Sequence, residues 1–136
     1  MLREIKRVVI NGYACPVKRQ AYLKIARIGL EEVKEWLKAG PILNAIGHLG
    51  AAEFFYQLTG DERVRGAPRP AIWYDELAPV EAVSIVLNFR PEEGKVYSKQ
   101  EMEQLYSEGK VGFVLIRADC HSFPVSPDQQ TSKQLW

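Results

Sequence analysis

The stretch PILNAIGHLGAAEFFYQLTG, residues 41–60, decides how the chain folds. Its first part, PILNAIG, is a brief extended apolar segment. The second part places apolar residues at the i, i+3, i+4 and i+7 positions of an amphipathic helix, namely Ala51, Phe54, Phe55 and Leu58. Gly60 then ends the helical pattern. An extended segment followed directly by a helix is typical of α/β folds.

Upstream of this stretch lie two further segments, of which one is clear and one is ambiguous. Residues 4–10, EIKRVVI, have the β-branched composition of a short strand, which Asn11-Gly12 stops. Residues 21–39 fit either one long helix or a strand, AYLKIARI, followed by a shorter helix, LEEVKEWLKA. Gly29 would lie inside the long helix, where glycine costs about 1 kcal/mol relative to alanine.

Downstream, strand and helix patterns continue to alternate. Residues 71–74, AIWY, and 81–89, EAVSIVLNF, have strand patterns, and the second is apolar on both faces, which predicts a central position in the sheet. SKQE, residues 98–101, is a capping box that begins a helix, and KVGFVLI, residues 110–116, is a final buried strand. The sequence therefore predicts an α/β fold with a mixed sheet of about five strands and helices packed on it.

Length and composition indicate one ordinary globular domain. The chain has 136 residues, of which 46% are hydrophobic and 26% charged, so it can bury a sizeable core. We expect one domain over residues 1–118 and a polar tail over residues 119–136. No apolar run is long enough to span a bilayer, and the N-terminus lacks the apolar core of a signal peptide, which favours a cytoplasmic protein. A net charge of +1 argues against a general binder of duplex DNA.

Cysteines and histidines give no indication of a disulfide or a metal site. Cys15 and Cys120 are far apart and neither belongs to a CxxC pair, so we expect both to be reduced. Two histidines without a neighbouring ligand set do not predict a metal site. The chain also lacks a glycine-rich phosphate loop, and no cofactor is expected.

Gly47 and His48 form the first candidate site, because they lie where the extended segment meets the helix. Gly47 has no Cβ, so a ligand can approach the backbone closely there. The free N–H groups of the first helical turn favour an anion. A histidine at the mouth of such a phosphate site is well placed to donate a proton. The alternative is that His48 only caps the helix or satisfies a buried backbone group.

The segment FRPEEGKVYS, residues 89–98, is the second candidate site. Arg90 follows the predicted central strand, and residues at the end of such a strand are held rigidly. Its guanidinium can clamp a phosphate with two parallel hydrogen bonds. Glu93 can orient a histidine and favour its charged form. The alternative is a solvated turn, because charged residues with a glycine often form one.

Together the two candidate segments resemble a known family. ILNAIGH followed by a helix, and then RPEEGKVYSKQEMEQLYSEGKVGFVLI, are similar to small viral and mobile-element proteins once described only as a domain of unknown function. That family includes the type III anti-CRISPR ring nucleases. The resemblance extends from Val8 to about Arg117. The family pattern has a strand and then a helix before NAIGH, which favours two elements over residues 21–39.

This resemblance implies an activity and a set of residues. Members of the family bind and cleave cyclic tetra-adenylate, the second messenger made by type III CRISPR complexes, as homodimers without a metal. The motifs imply that His48, Arg90 and Glu93 are catalytic. They also imply that Asn11 in the first turn contacts the ligand, as does Arg69 before a predicted strand.

The chain departs from the family pattern at two places. Ala14 stands where viral members often carry serine, and Leu49-Gly50-Ala51 stand where they carry polar residues. These departures would remove hydroxyl contacts to the ligand.

Two functions are therefore considered. The first is a ring nuclease, in which a ribose 2′-OH attacks the adjacent phosphate and His48 is the general acid. The second is a module of a virus or mobile element that sequesters a cyclic nucleotide or binds a protein without turnover.

Overall fold

The structure, a computed structural model, describes residues 5–12, 22–65 and 80–119. In chain order the elements are β1 (Lys6–Asn11), β2 (Tyr22–Ile28), α1 (Leu30–Lys38), β3 (Leu43–Asn44), α2 (Leu49–Thr59), a 3-10 turn (Glu62–Val64), β4 (Val80–Leu87), α3 (Lys99–Ser107) and β5 (Val111–Asp119). Several features predicted from the sequence lie outside the described residues, namely Ala14, Arg69, the strand over residues 71–74 and the tail beyond Asp119.

Residues 21–39 contain a strand followed by a helix, as the family pattern favours. Gly29 lies between the two elements with an extended backbone, φ −90° and ψ 172°, and is the N-cap of α1. Its backbone N–H donates to Glu32 Oε1 at 3.1 Å. Gly29, which is unfavourable inside one long helix, therefore separates β2 from α1.

Within the described residues, five strands form one mixed sheet in the order β2-β5-β4-β1-β3. β4 is central, with β5 antiparallel on one side and β1 parallel on the other. β3 lies parallel to β1, and β2 is antiparallel to β5 at the opposite edge. The mixed sheet is confirmed, and so is the central position of the strand predicted over residues 81–89, which as β4 covers Val80–Leu87. Because β1, β3 and β4 are parallel, their carboxyl ends meet at the same edge of the sheet, where ligands bind in many open α/β sheets.

β4 is apolar on both faces because each face contributes to a separate cluster of buried side chains. Val83 and Ile85 belong to the cluster that also contains Phe54 and Phe55 of α2. The alternate residues of β4 belong to the second cluster: Val80, Ala82 and Val86. Among the described helices, none is long and apolar enough to cross a membrane.

The start of α3 has the capping box that the sequence predicts. Ser98 Oγ accepts from the Glu101 backbone N–H at 3.1 Å, and Glu101 Oε1 accepts from the Ser98 N–H at 3.0 Å. Tyr97 and Met102, on either side of this cap, both pack into the cluster beneath the helices. The backbone that enters α3 is thus fixed next to the first turn of α2.

Candidate active site

A cavity of about 440 Å³ opens at the carboxyl edge of β1 and β4. Its polar lining comes from the turn after β1, the start of α2 and the segment before α3, and consists of Asn11, His48, Lys95 and Tyr97. The rest of the wall is mainly apolar and includes Ala51, Ile85, Leu87, Phe89, Val96 and Met102. A concave, mostly apolar site with a few convergent polar groups is typical of small-molecule binding.

His48 is exposed and lines this cavity. It is the N-cap residue of α2, with an extended backbone of φ −125° and ψ 127°, and its carbonyl accepts from the Ala52 N–H at 3.0 Å. Its side chain does not cap the helix and has no hydrogen-bond partner among the described residues. The alternative in which the imidazole caps the helix is therefore wrong, and the ring is free to meet a ligand.

Asn11 holds the loop in front of His48. Its side-chain Oδ1 accepts from the Gly47 backbone N–H at 2.7 Å. The following Gly12 has a left-handed backbone, φ 84°, and its N–H donates to the Ile85 carbonyl at 2.8 Å. The hydroxyl of buried Ser84 donates to the Gly12 carbonyl. The turn after β1 is thus fixed to β4. It also holds Gly47, because the Gly47 N–H donates to Asn11.

We expect Asn11→Ala to loosen this loop. The variant leaves the Gly47 N–H without its acceptor, and we expect it to lower the free energy of unfolding by about 1 kcal/mol. Hydrogen exchange at the Gly47 amide should accelerate relative to the rest of the chain. Asn11→Asp keeps an acceptor oxygen and is the matched control. Unchanged exchange at Gly47 in Asn11→Ala would show that the hydrogen bond does not hold the loop.

Gly50, which lies between the cavity-lining residues His48 and Ala51, has a packing role that the sequence did not predict. A Cβ at this position would lie 2.2 Å from the Tyr97 carbonyl oxygen and 2.9 Å from the Ser98 carbonyl carbon. Only glycine therefore lets the first turn of α2 approach the backbone that enters α3. The sequence contained one indication of this role: Gly50 lies inside a helical pattern, where glycine is unfavourable and often has a packing reason.

Arg90 and Glu93 lie in the same segment but not on the cavity wall. Both are exposed, and neither forms a hydrogen bond or ion pair with another described residue. A hydrogen bond between Glu93 and His48 is therefore not formed within the described part of the chain. The segment itself is ordered by a turn in which the Lys95 N–H donates to the Glu92 carbonyl at 3.1 Å.

Lys95, from the same motif, lines the cavity and was not singled out from the sequence. Its Nζ lies 2.8 Å from Glu101 Oε2 and 5.4 Å from the centre of the Tyr97 ring. The hydrogen bond between the two side chains raises the pKa of the Lys95 ammonium and lowers the pKa of the Glu101 carboxyl. Both groups are therefore charged at neutral pH.

The donor set of this region does not resemble a metal centre. Across the described ranges, no group of three or more His, Cys, Asp or Glu side chains is placed to hold a metal ion. The cavity instead offers one imidazole, one ammonium, one amide and one phenol among apolar side chains. Such groups bind anions and exchange protons.

Comparisons with known proteins agree with this fold and with the expected viral family. The model of the STIV B116-like family matches residues 7–113, which span β1 to the start of β5. Among solved structures, B116 of Sulfolobus turreted icosahedral virus (STIV) is similar, with a TM-score of 0.57 and 26% identity. The alignment covers 82% of this chain and 97% of that chain. No curated protein matches the sequence. Since the family model spans most of the chain, the protein belongs to the STIV B116-like family.

Proposed function

We propose that the protein is a metal-independent ring nuclease that binds and cleaves cyclic tetra-adenylate. The observation that carries the proposal is the position of His48. Its imidazole is exposed, has no hydrogen-bond partner among the described residues and lines a cavity at the N-terminus of α2. Helix N-termini favour anions, so a phosphodiester can lie beside a group that can donate a proton.

The proposed reaction needs no nucleophile from the protein. A ribose 2′-OH attacks the adjacent phosphorus, loses its proton to solvent and forms the P–O2′ bond. The P–O5′ bond breaks, and the departing 5′-oxygen takes a proton from the His48 imidazolium. The products are a linear oligoadenylate with a 2′,3′-cyclic phosphate and a 5′-hydroxyl. A general acid of this kind is typically worth about 10²- to 10⁴-fold, and positioning of the ring supplies further acceleration.

Arg90 and Glu93 keep the roles that the family resemblance implies. Arg90 would stabilise charge on the phosphate oxygens, and Glu93 would orient the His48 ring. Both are exposed and have no ion pair with another described residue, so neither must break a contact of this kind to meet a ligand. Arg69 would add a basic contact.

A homodimer would complete the site. A cavity of about 440 Å³ can receive part of a ligand, such as one base with its phosphate, but not a ring of four nucleotides. Two copies related by a two-fold axis would present two cavities to a ring of repeating symmetry. β2 is a candidate surface for this association, because it is an edge strand on which Leu23 is 40% exposed and Ile25 is 51% exposed.

The proposal is tested by incubating the protein with labelled cyclic tetra-adenylate in EDTA. We expect linear products that end in a 2′,3′-cyclic phosphate, and a dimer by light scattering at the assay concentration. In a virus, such an activity would remove the messenger in the host cytoplasm and silence the defence. Absence of product in EDTA at enzyme excess would contradict the proposed activity.

Sequestration of the ring without turnover is the second candidate function. It is favoured by one observation: among the described residues no carboxylate forms a hydrogen bond or ion pair with His48, so the contact with Glu93 that the family resemblance implies is not made there. The same labelled ligand distinguishes the two functions. Retention of intact ring on a filter, without linear product, would support sequestration.

A further inference from the structure

Lys95 is a charged group to which the proposed reaction assigns no role. It is exposed, and it lines the same cavity as His48. Among the described residues that line the cavity, it is the one that carries a permanent positive charge. Arg90, the cation expected from the sequence, does not line it.

Two neighbours hold the Lys95 ammonium in place. Glu101 Oε2 lies 2.8 Å from Nζ, while the other carboxylate oxygen of Glu101 accepts from the Ser98 N–H at 3.0 Å. The capping box therefore orients the Glu101 carboxylate, and this carboxylate in turn positions the Lys95 ammonium. On the other side lies the Tyr97 ring, 5.4 Å from Nζ, which packs edge-on against Phe89 with a centroid distance of 6.2 Å.

An ammonium held in this way can still bind an anion. Lysine has three N–H donors, and Glu101 accepts from one of them, so two donors are available to a phosphate oxygen. The surrounding wall is mainly apolar, so it offers few other polar groups to bind a phosphate oxygen. Charge-assisted hydrogen bonds of this type are about twice as strong as neutral ones.

We propose that Lys95 binds a phosphate of the ligand within the cavity and is a substrate-binding residue of this site. The inference rests on the proposed function, since it assigns one more contact to the same nucleotide ring. Lys95 touches a phosphate and stabilises its negative charge, whereas His48 donates the proton. The apolar wall beside Tyr97 is then left for a base.

Binding and cleavage are measured separately so that the two proposals can be told apart. Affinity for fluorescent cyclic tetra-adenylate is measured over a range of salt concentrations in His48→Ala, in which the ring persists. Lys95→Gln is added to that background and compared with Lys95→Arg and with Lys99→Gln. Lys99 is the matched control. Like Lys95 it pairs with a glutamate of α3, in this case Glu103 at 3.4 Å, but it does not line the cavity.

We expect Lys95→Gln to weaken binding about tenfold, as loss of one charge-assisted hydrogen bond implies. The slope of log affinity against log salt should fall in magnitude by about 0.7, the value for one phosphate contact on a single strand. Lys95→Arg and Lys99→Gln should stay within about threefold of the parent, because each keeps a cation at the cavity.

Each other outcome overturns a different statement. Unchanged affinity in Lys95→Gln would overturn the role of Lys95, while cleavage by the unmodified protein would keep the proposed function. Binding that depends on Lys95 but gives no cleavage in the unmodified protein would overturn the nuclease and keep the inference. A ring that neither binds nor is cleaved would overturn both.

Discussion

His48→Ala is expected to lower the rate of cyclic tetra-adenylate cleavage by about 10²- to 10⁴-fold, the usual contribution of a general acid. The 5′-oxygen is a poor leaving group, and in the variant the imidazolium that protonates it is lost. The fold should be unaffected, because the side chain is exposed and has no hydrogen-bond partner among the described residues. Single-turnover cleavage at enzyme excess measures the chemical step without product release.

A matched variant separates proton transfer from simple loss of a contact. His48→Gln keeps a side chain of similar size that can hydrogen-bond a phosphate, but it cannot deliver a proton at neutral pH. We expect it to bind the ring nearly as well as the unmodified protein and to cleave as slowly as His48→Ala. The free energy of unfolding of both variants should remain within about 0.5 kcal/mol of the parent value. Cleavage by His48→Gln at the unmodified rate would rule out the proposed acid.

Local patterns were enough to predict most of the fold. The double-sided apolar pattern of residues 81–89 indicated a central strand, and β4 lies between β5 and β1. SKQE indicated a helix start, and α3 begins at Lys99 with both reciprocal hydrogen bonds. Residues 21–39 stayed ambiguous on spacing alone, because a glycine that caps a helix and one that interrupts a helix look the same in sequence. Only the backbone conformation at Gly29 distinguishes them.

The candidate site was harder to predict, because its contacts join residues far apart in the chain. A local signal, glycine and histidine before a helix, was sufficient to single out His48, which lines the cavity. The contact of Asn11 Oδ1 with the Gly47 N–H spans 36 positions, and it assigns to Asn11 a structural role beside the expected ligand contact. The motif near residue 90 singled out a segment that contributes to the cavity wall, but spacing could not indicate that Lys95 lines the cavity while Arg90 does not.

Gly50→Ala is expected to be among the most damaging substitutions of a single methyl group in this protein. The added Cβ would lie 2.2 Å from the Tyr97 carbonyl oxygen, far inside van der Waals contact, and both neighbouring groups are backbone. Overpacking typically costs about 1–3 kcal/mol, and a clash with rigid backbone belongs at the upper end of that range, whereas alanine in place of glycine returns about 1 kcal/mol of helix propensity. We therefore expect a net loss of about 2 kcal/mol, measured by urea unfolding.

Cleavage should fall as well, because relief of the clash must separate the first turn of α2 from the entry to α3. That movement carries His48 away from Lys95 and Tyr97 across the cavity, and a displacement of about 1 Å can cost about 100-fold in rate. Gly47→Ala is the control. Its Cβ would lie 3.6 Å from Asn11 Oδ1, an ordinary contact, so stability should change by less than about 0.5 kcal/mol. Equal stabilities of the two variants would mean that α2 does not pack closely against the Tyr97–Ser98 backbone, and unchanged cleavage by Gly50→Ala would mean that this packing does not position His48.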